Sequence, residues 1–192
     1  MTPDSRFEDM IPEVREISDH KLHENVITTW ASAIAQSDFE NLAEVPWWPP
    51  HEAKVGSLSL VEHVRAVVKC AIAIVDSFGQ QTQTEGDIHR DDVIAGAVLH
   101  DISKVFEIVD GNLIETHELL PHPHLSVYVL ARNDFSVHIQ HIVLAHSDRS
   151  GVDPQTIEAK IVAIADELVV DEIYWRTTGH LKTNASKESN TR

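Results

Sequence analysis

Six side chains in this sequence have the types and spacing of a metal centre: His63, His100, Asp101, His122, His146 and Asp166. Imidazole nitrogen and carboxylate oxygen both bind divalent transition ions directly. His100-Asp101 closes the apolar run Val93-Ile94-Ala95-Gly96-Ala97-Val98-Leu99. Ionisable side chains ending such a run must find partners or neutralise, because an unpaired buried charge costs several kcal/mol. His63 stands one turn from Leu60 and Val67. His146 shares a face with Ile139, Ile142 and Val143, and Asp166 shares one with Val162, Val169, Val170 and Ile173. Successive clusters are separated by 37, 21, 24 and 20 residues, about one helix and one loop each. Each cluster therefore comes from its own helix. Four imidazoles and two carboxylates pointing inward describe a dinuclear core. One shared carboxylate, Asp101, can bridge two ions roughly 3.5–4 Å apart and hold a hydroxide between them.

Other residues compete for these roles. His124 lies two positions from His122, and His138 and His141 share a segment with His146. His63 taken alone reads as a core histidine, and Lys104 taken alone reads as a charge at a helix end. Asp171 and Glu167 read as a solvated face, and His51, His89, His117 and His180 have no supporting pattern.

Helices must carry these residues. Residues 1–18 form an N-terminal arm or a short first helix, and the domain proper spans 19–176. Asp19 caps a helix to about 36, and Ser37-Asp38 starts a short one through Leu42. Pro46-Trp47-Trp48-Pro49-Pro50 cannot continue a helix. It reads as an extended connector packing two indoles, with an aromatic wall for a substrate ring as the rival reading. Ser57 or Ser59 caps a helix over 58–78, and 79–90 is a loop within the domain. Asp91-Asp92 open the helix into His100. The Ala95-Gly96-Ala97 run leaves room for a neighbour. A short β-hairpin is expected near 105–115, turning at Asp110-Gly111-Asn112. Further helices run from 122 to 132, from a Ser136 cap to about 146, and from Pro154 to about 175. From Thr177 the tail, 177–192, reads as disordered. The fold class is thus all-α, a single-domain helical bundle without internal repeats.

Composition narrows the partners. With 192 residues, 42% hydrophobic and 24% charged, the chain can bury a core of its own. Its net charge of −16 repels long polyanions, so long nucleic acid is not an expected partner. Cys70 is the one cysteine, a small residue among apolar helix positions, so no internal disulfide forms. The first residues lack a basic start and an apolar core, and no apolar run approaches ~18 residues. The expected setting is the cytoplasm, off the membrane. A homodimer is an expected assembly, although no helix face stands out for it.

The order His63, His100-Asp101-Ile102-Ser103-Lys104, His122-Pro123-His124-Leu125-Ser126, Val143-Leu144-Ala145-His146, Ala163-Ile164-Ala165-Asp166 resembles the HD superfamily of metal-dependent phosphohydrolases. The resemblance covers about 58–173, and five separated segments match in order. It implies an HD-type bundle with two divalent ions, iron or manganese first, with magnesium, nickel, cobalt or zinc as other candidates. His63, His100, Asp101 and Asp166 would bind one, and Asp101 would bridge to a second held by His122 and His146. Lys104 would contact a phosphate or developing charge, so Asp101 and Lys104 are the expected catalytic residues. The implied reaction is hydrolysis of a phosphate ester in a small, nucleotide-like anionic substrate by a metal-bridging hydroxide. Some HD proteins with the same residues are instead mixed-valent diiron oxygenases, and a non-catalytic metal-binding module is a third reading. The chain departs from the family where Ser103 replaces a frequent Gly, where Ser147-Asp148 replaces His-Glu, and where no Gly-Tyr-Pro follows Gly151. The last departure argues against a cyclic di-GMP phosphodiesterase. The 105–121 segment is similar to the hairpin of HD-type 3′→5′ exoribonucleases, whose nucleic-acid-binding domain has no equivalent here.

Overall fold

The computed structural model describes residues 3–47, 58–78, 88–109, 112–113 and 119–182. The expected all-α bundle is found. Local chemistry sets most helix starts. The Asp19 carboxylate accepts the Lys21 and Leu22 N–H groups and opens α2, His20–Ala35. Ser59 and Glu62 exchange hydrogen bonds in a capping box that opens α3, Leu60–Phe78. Ser57 lies outside the described residues. The Ser136 hydroxyl accepts the Ile139 N–H and opens α6, Val137–Leu144. Between them lie α4, Arg90–Leu99, and α5, His122–Arg132. The last helix, α7, is Ile157–Thr178, closed by Gly179 in the left-handed region at φ +74°. It starts after Pro154 because Thr156, extended at φ −125°, caps Ala159 with its hydroxyl.

Residues 1–18 contribute α1, Pro3–Met10, and a 3₁₀ turn, Pro12–Glu16. Phe7, Ile11, Val14 and Ile17 are buried in the common core, with Phe7 stacked on Trp30. The helix expected from Ser37 does not form. Ser37 instead returns its hydroxyl to the Ile34 carbonyl, and Asn41 caps a 3₁₀ turn at Leu42–Glu44. The extended connector is present as far as Trp47, whose N–H donates to the Leu58 carbonyl. Trp48 lies outside the described residues. The expected hairpin starts later than Val105. Ile102–Phe106 is a 3₁₀ turn, and among the described residues Ile108–Val109 pairs with Asn112–Leu113, antiparallel. Its turn residues Asp110 and Gly111 and the tail from 183 lie outside the described residues. Among the described residues, no helix is long and apolar enough to cross a membrane.

Helices α2, α3, α6 and α7 pack around α4, whose Val93 to Leu99 are all buried. Trp30 donates its indole N–H to the Val98 carbonyl, locking α2 against the end of α4 that leads into His100. Arg65 makes a bidentate pair with Glu13, clamping the first 3₁₀ turn to α3 two residues from His63. Burial opposes the Glu13 carboxylate, but Arg65 and Lys69 outweigh it and hold its pKa below 4.5. A depressed carboxylate pKa stabilises the fold above the unfolded value, and that stability is lost as pH falls through the folded value. Glu13→Gln should therefore cost about 1 kcal/mol near pH 7. In urea unfolding, its deficit against the wild type should shrink once pH drops below the ordinary carboxylate range.

Candidate metal centre

The end of α4 delivers His100 and Asp101, and their positions follow from how a helix terminates. The last carbonyls of a helix have no intrahelical donor. At the end of α4, the His100 Nδ1–H donates to the Ala97 carbonyl at 2.7 Å. At the end of α6, the His146 Nδ1–H donates to the Val143 carbonyl at 2.6 Å. A carbonyl only accepts, so each of these Nδ1 atoms carries a proton. In the neutral ring each Nε2 then presents a bare lone pair.

Those lone pairs converge. His100 Nε2 lies 3.2 Å from His63 Nε2, and His146 Nε2 lies 3.1 Å from His122 Nε2. Asp101 lies between the two pairs. Its Oδ2 is 3.3 Å from His100 Nε2 and 3.5 Å from His63 Nε2, whereas its Oδ1 is 3.5 Å from His122 Nε2 and 3.9 Å from His146 Nε2. Asp166 on α7 reaches the first pair, with Oδ1 at 3.1 Å from His63 Nε2 and 3.9 Å from His100 Nε2. All six expected residues thus come together, and five of them are buried, with Asp166 half-buried. Two triads, His63-His100-Asp101 and Asp101-His122-His146, each bring their ligand atoms close enough to hold a metal ion.

The donor chemistry fits divalent cations. Asp101 Oδ1 is buried without a hydrogen-bond partner among the described residues. Such an orphaned acceptor costs roughly 1–3 kcal/mol unless something cationic or protic meets it. Burial lowers the pKa of His63, His122 and His146, leaving them neutral with lone pairs available. Burial also works against a charged His100, but the Asp101 and Asp166 carboxylates outweigh it and raise its pKa. Burial likewise opposes ionisation of Asp101 and Asp166. Lys104 and His100 overcome it at Asp101, and His63 overcomes it at Asp166, so both carboxylates stay ionised. Protons and metal compete for the same nitrogens, so the neutral His63, His122 and His146 favour metal, and at His100 a cation would take the place of the proton that the two carboxylates attract.

Lys104 reaches the cluster from the 3₁₀ turn. Its Nζ lies 3.4 Å from Asp101 Oδ2 and donates to the Trp47 carbonyl at 3.0 Å. Trp47 is buried and stacks on the His63 ring, with centroids 4.4 Å apart. It therefore supports a candidate ligand and tethers Lys104, a role between the two weighed for it from sequence. Nothing in the local pattern marked its contacts with His63 and Lys104, since an indole in a proline-rich connector has no periodicity to read. Ser103 joins the two halves of the site. Its hydroxyl is placed to donate to the His122 carbonyl at 3.0 Å or to Glu107 at 3.1 Å. Ser126, one turn along from His122, links the His100 carbonyl to the Ser103 N–H.

The competing histidines are engaged elsewhere. His138 lies between Asp92 and Glu158, and His141 Nε2 accepts the Gln155 N–H. His124 is half-buried, His89 precedes α4 with its ring edge against His138, and His180 is exposed. His51 and His117 lie outside the described residues.

Comparison with known proteins agrees with this geometry. The family model for the HD domain matches residues 60–171. A dihydroneopterin 2′,3′-cyclic phosphate phosphodiesterase of Methanocaldococcus jannaschii is 33% identical over 130 residues, 65% of this chain and 49% of the relative. The chain thus spans about half the length of that relative. No solved structure gives a significant match. The matched span contains all six converging side chains, in order and on the helices that bring them together, and on that ground the chain belongs to the HD domain family.

Proposed function

We propose that this chain is a metal-dependent phosphohydrolase acting on a phosphate ester of nucleotide-like size, with a cyclic phosphodiester as the leading substrate class. The observation that carries the reading is the convergence of four Nε2 atoms on the two oxygens of one buried carboxylate. His63, His100, Asp101 and Asp166 would hold one divalent ion. Asp101, through its other oxygen, would hold a second with His122 and His146. Iron or manganese suits this mixed imidazole and carboxylate shell. When bound, the ions supply Lewis acidity and a water nucleophile at neutral pH.

The chain's own residues supply the rest. The Ala97 and Val143 carbonyls keep two imidazoles in the tautomer that offers Nε2 inward. Lys104 balances Asp101 and, turned outward, places a positive charge against a phosphoryl oxygen as negative charge develops there. With two divalent ions held beside Asp101, Asp166 and Lys104, the site would carry a local positive charge that draws an anionic ester into an otherwise acidic protein of net charge −16. The class of cyclic phosphodiester follows from the named activity of the archaeal relative.

The test is hydrolysis of 2′,3′-cyclic nucleotides and small phosphodiesters by iron- or manganese-loaded protein, read by chromatography of the ring-opened product. Turnover should be lost with a chelator. Lys104→Met should lower kcat ~10²-fold, in the range for a removed transition-state donor, while metal content stays at the wild-type level. Fully loaded protein that hydrolyses no phosphate ester but consumes O₂ with an organic substrate would replace this reading with the oxygenase one.

A further inference from the structure

Helices α2 and α5 flank a cleft of about 300 Å³. One wall is the stripe of α2 that runs from Thr29 to Gln36, and the other is the stripe of α5 from Leu125 to Arg132. Each stripe has the i, i+3, i+4, i+7 spacing of a single helix face. Phe106, from the 3₁₀ turn, adds an aromatic surface. None of the six candidate metal ligands lines this cleft, so it is separate from the metal centre. Its volume is at the lower end of the range for small-molecule sites, with room for a ring system and one substituent rather than for a dinucleotide.

The lining has a sign. The chain carries 31 acidic residues against 15 Lys and Arg, yet no carboxylate lines the cleft and one guanidinium does. Arg132 meets no carboxylate among the described residues. It gives an N–H to the Tyr128 hydroxyl at 3.0 Å and lies over the Tyr128 ring, 5.6 Å from its centroid. The rest of its donor fork is unengaged. Because Tyr128 holds the guanidinium in place, less freedom is lost when an anion meets it. In a protein of net charge −16, a cleft with a cation and no carboxylate is where a small anion can settle.

A buried hydroxyl on the same wall calls for a partner. Thr28 returns its hydroxyl to the Glu24 carbonyl, one turn back in its own helix. Thr29 does not. It is 1% exposed, it lines the cleft, and its hydroxyl is buried without a hydrogen-bond partner among the described residues. Such a group is unfavourable to leave unpaired. Ser32, one turn further on, accepts the Gln36 side-chain N–H at 2.8 Å and keeps its own O–H to give.

We propose that the cleft between α2 and α5 binds a small planar monoanion, an aromatic or heterocyclic carboxylate. Its charge would lie on Arg132, its ring against Leu125 and Phe106, and a polar ring atom towards the Thr29 and Ser32 hydroxyls. One guanidinium matches a carboxylate in charge and in planar, two-point geometry, whereas a phosphate dianion would leave a charge unbalanced. The inference is independent of the hydrolase reading, since its test reads binding alone.

The test is calorimetric titration of the metal-loaded full chain with indole-3-carboxylate, with indole-3-carboxamide as the uncharged match and acetate as the anion without a ring. The carboxylate should bind one-to-one and saturably at submillimolar concentration, the carboxamide about tenfold more weakly, and acetate not at all. Arg132→Met should weaken the carboxylate about tenfold with far-UV circular dichroism and metal content unchanged. A guanidinium present only to complement the end of α5 would leave binding unmoved. Thr29→Val should raise the Tm of the free protein, by replacing an unpaired hydroxyl with a methyl, and should weaken the carboxylate several-fold. No binding, equal binding of carboxamide and carboxylate, or binding indifferent to Arg132→Met overturns the proposal. So does binding that disappears in Asp101→Asn and survives Arg132→Met, which would place the anion at the metal centre. Undiminished binding by Thr29→Val overturns the role of that hydroxyl.

Discussion

Asp101→Asn should empty both halves of the metal centre at once. The two Asp101 oxygens face different histidine pairs, Oδ2 towards His63 and His100 and Oδ1 towards His122 and His146. An amide keeps the shape but loses the charge, and its NH₂ would donate to a histidine lone pair that a cation needs. On the proposed dinuclear reading, metal analysis should fall from two ions per chain to fewer than one, and the proposed phosphoesterase activity should fall by ~10³-fold or more. His122→Ala gives the contrast, because it touches only the second triad. It should remove one ion and leave the other. If Asp101→Asn and His122→Ala lose the same single ion, Asp101 does not bridge. The variant also leaves Lys104 without its buried anion, so folding should be followed by circular dichroism alongside metal content.

The second large effect lies at Gly96. A Cβ there would sit 2.3 Å from Ile142 Cγ2 and 3.2 Å from Ile142 Cβ. Ile142 is β-branched in a helix and has essentially one rotamer, so it cannot swing aside. Helix propensity alone favours Gly96→Ala by about 1 kcal/mol. The overlap forces α4 and α6 apart, and overpacking of this kind costs about 1–3 kcal/mol, so the net expectation is a clear loss. Gly96→Val should be worse. Because α4 leads into His100 and α6 into His146, the separation should also weaken metal binding. Their rings now lie 5.0 Å apart. Chemical denaturation should show Gly96→Ala and Ile142→Ala coupled. The double variant should be more stable than the sum of the singles predicts, by 1 kcal/mol or more. Additive losses would mean that the α4–α6 approach is not limiting.

The reading of Gly96 as room for a neighbour shows how far the sequence reaches. A small-residue run on an apolar helix signals a close approach, but not by what. The same holds across the chain. Asp19, Ser59 and Ser136 cap helices because capping is settled within a few residues. Ser37 and Pro154 misled because a local acceptor competed at the first, and Thr156 supplied a better cap at the second.

What the sequence by itself supplied is a candidate set of six ionisable side chains on, or at the ends of, apolar helical stretches, and their order, because periodicity is local and such residues are expensive to leave without partners. Only the tertiary structure decided the division of labour among them. Which oxygen of Asp101 faces which histidine pair, that Trp47 supports His63, and that Ser103 ties the turn to α5 all depend on contacts between residues far apart in the chain. Exposure along α7 is of the same kind. Leu168 and Val170 are both apolar, and only the packing of the other helices determines which is covered and which is left exposed.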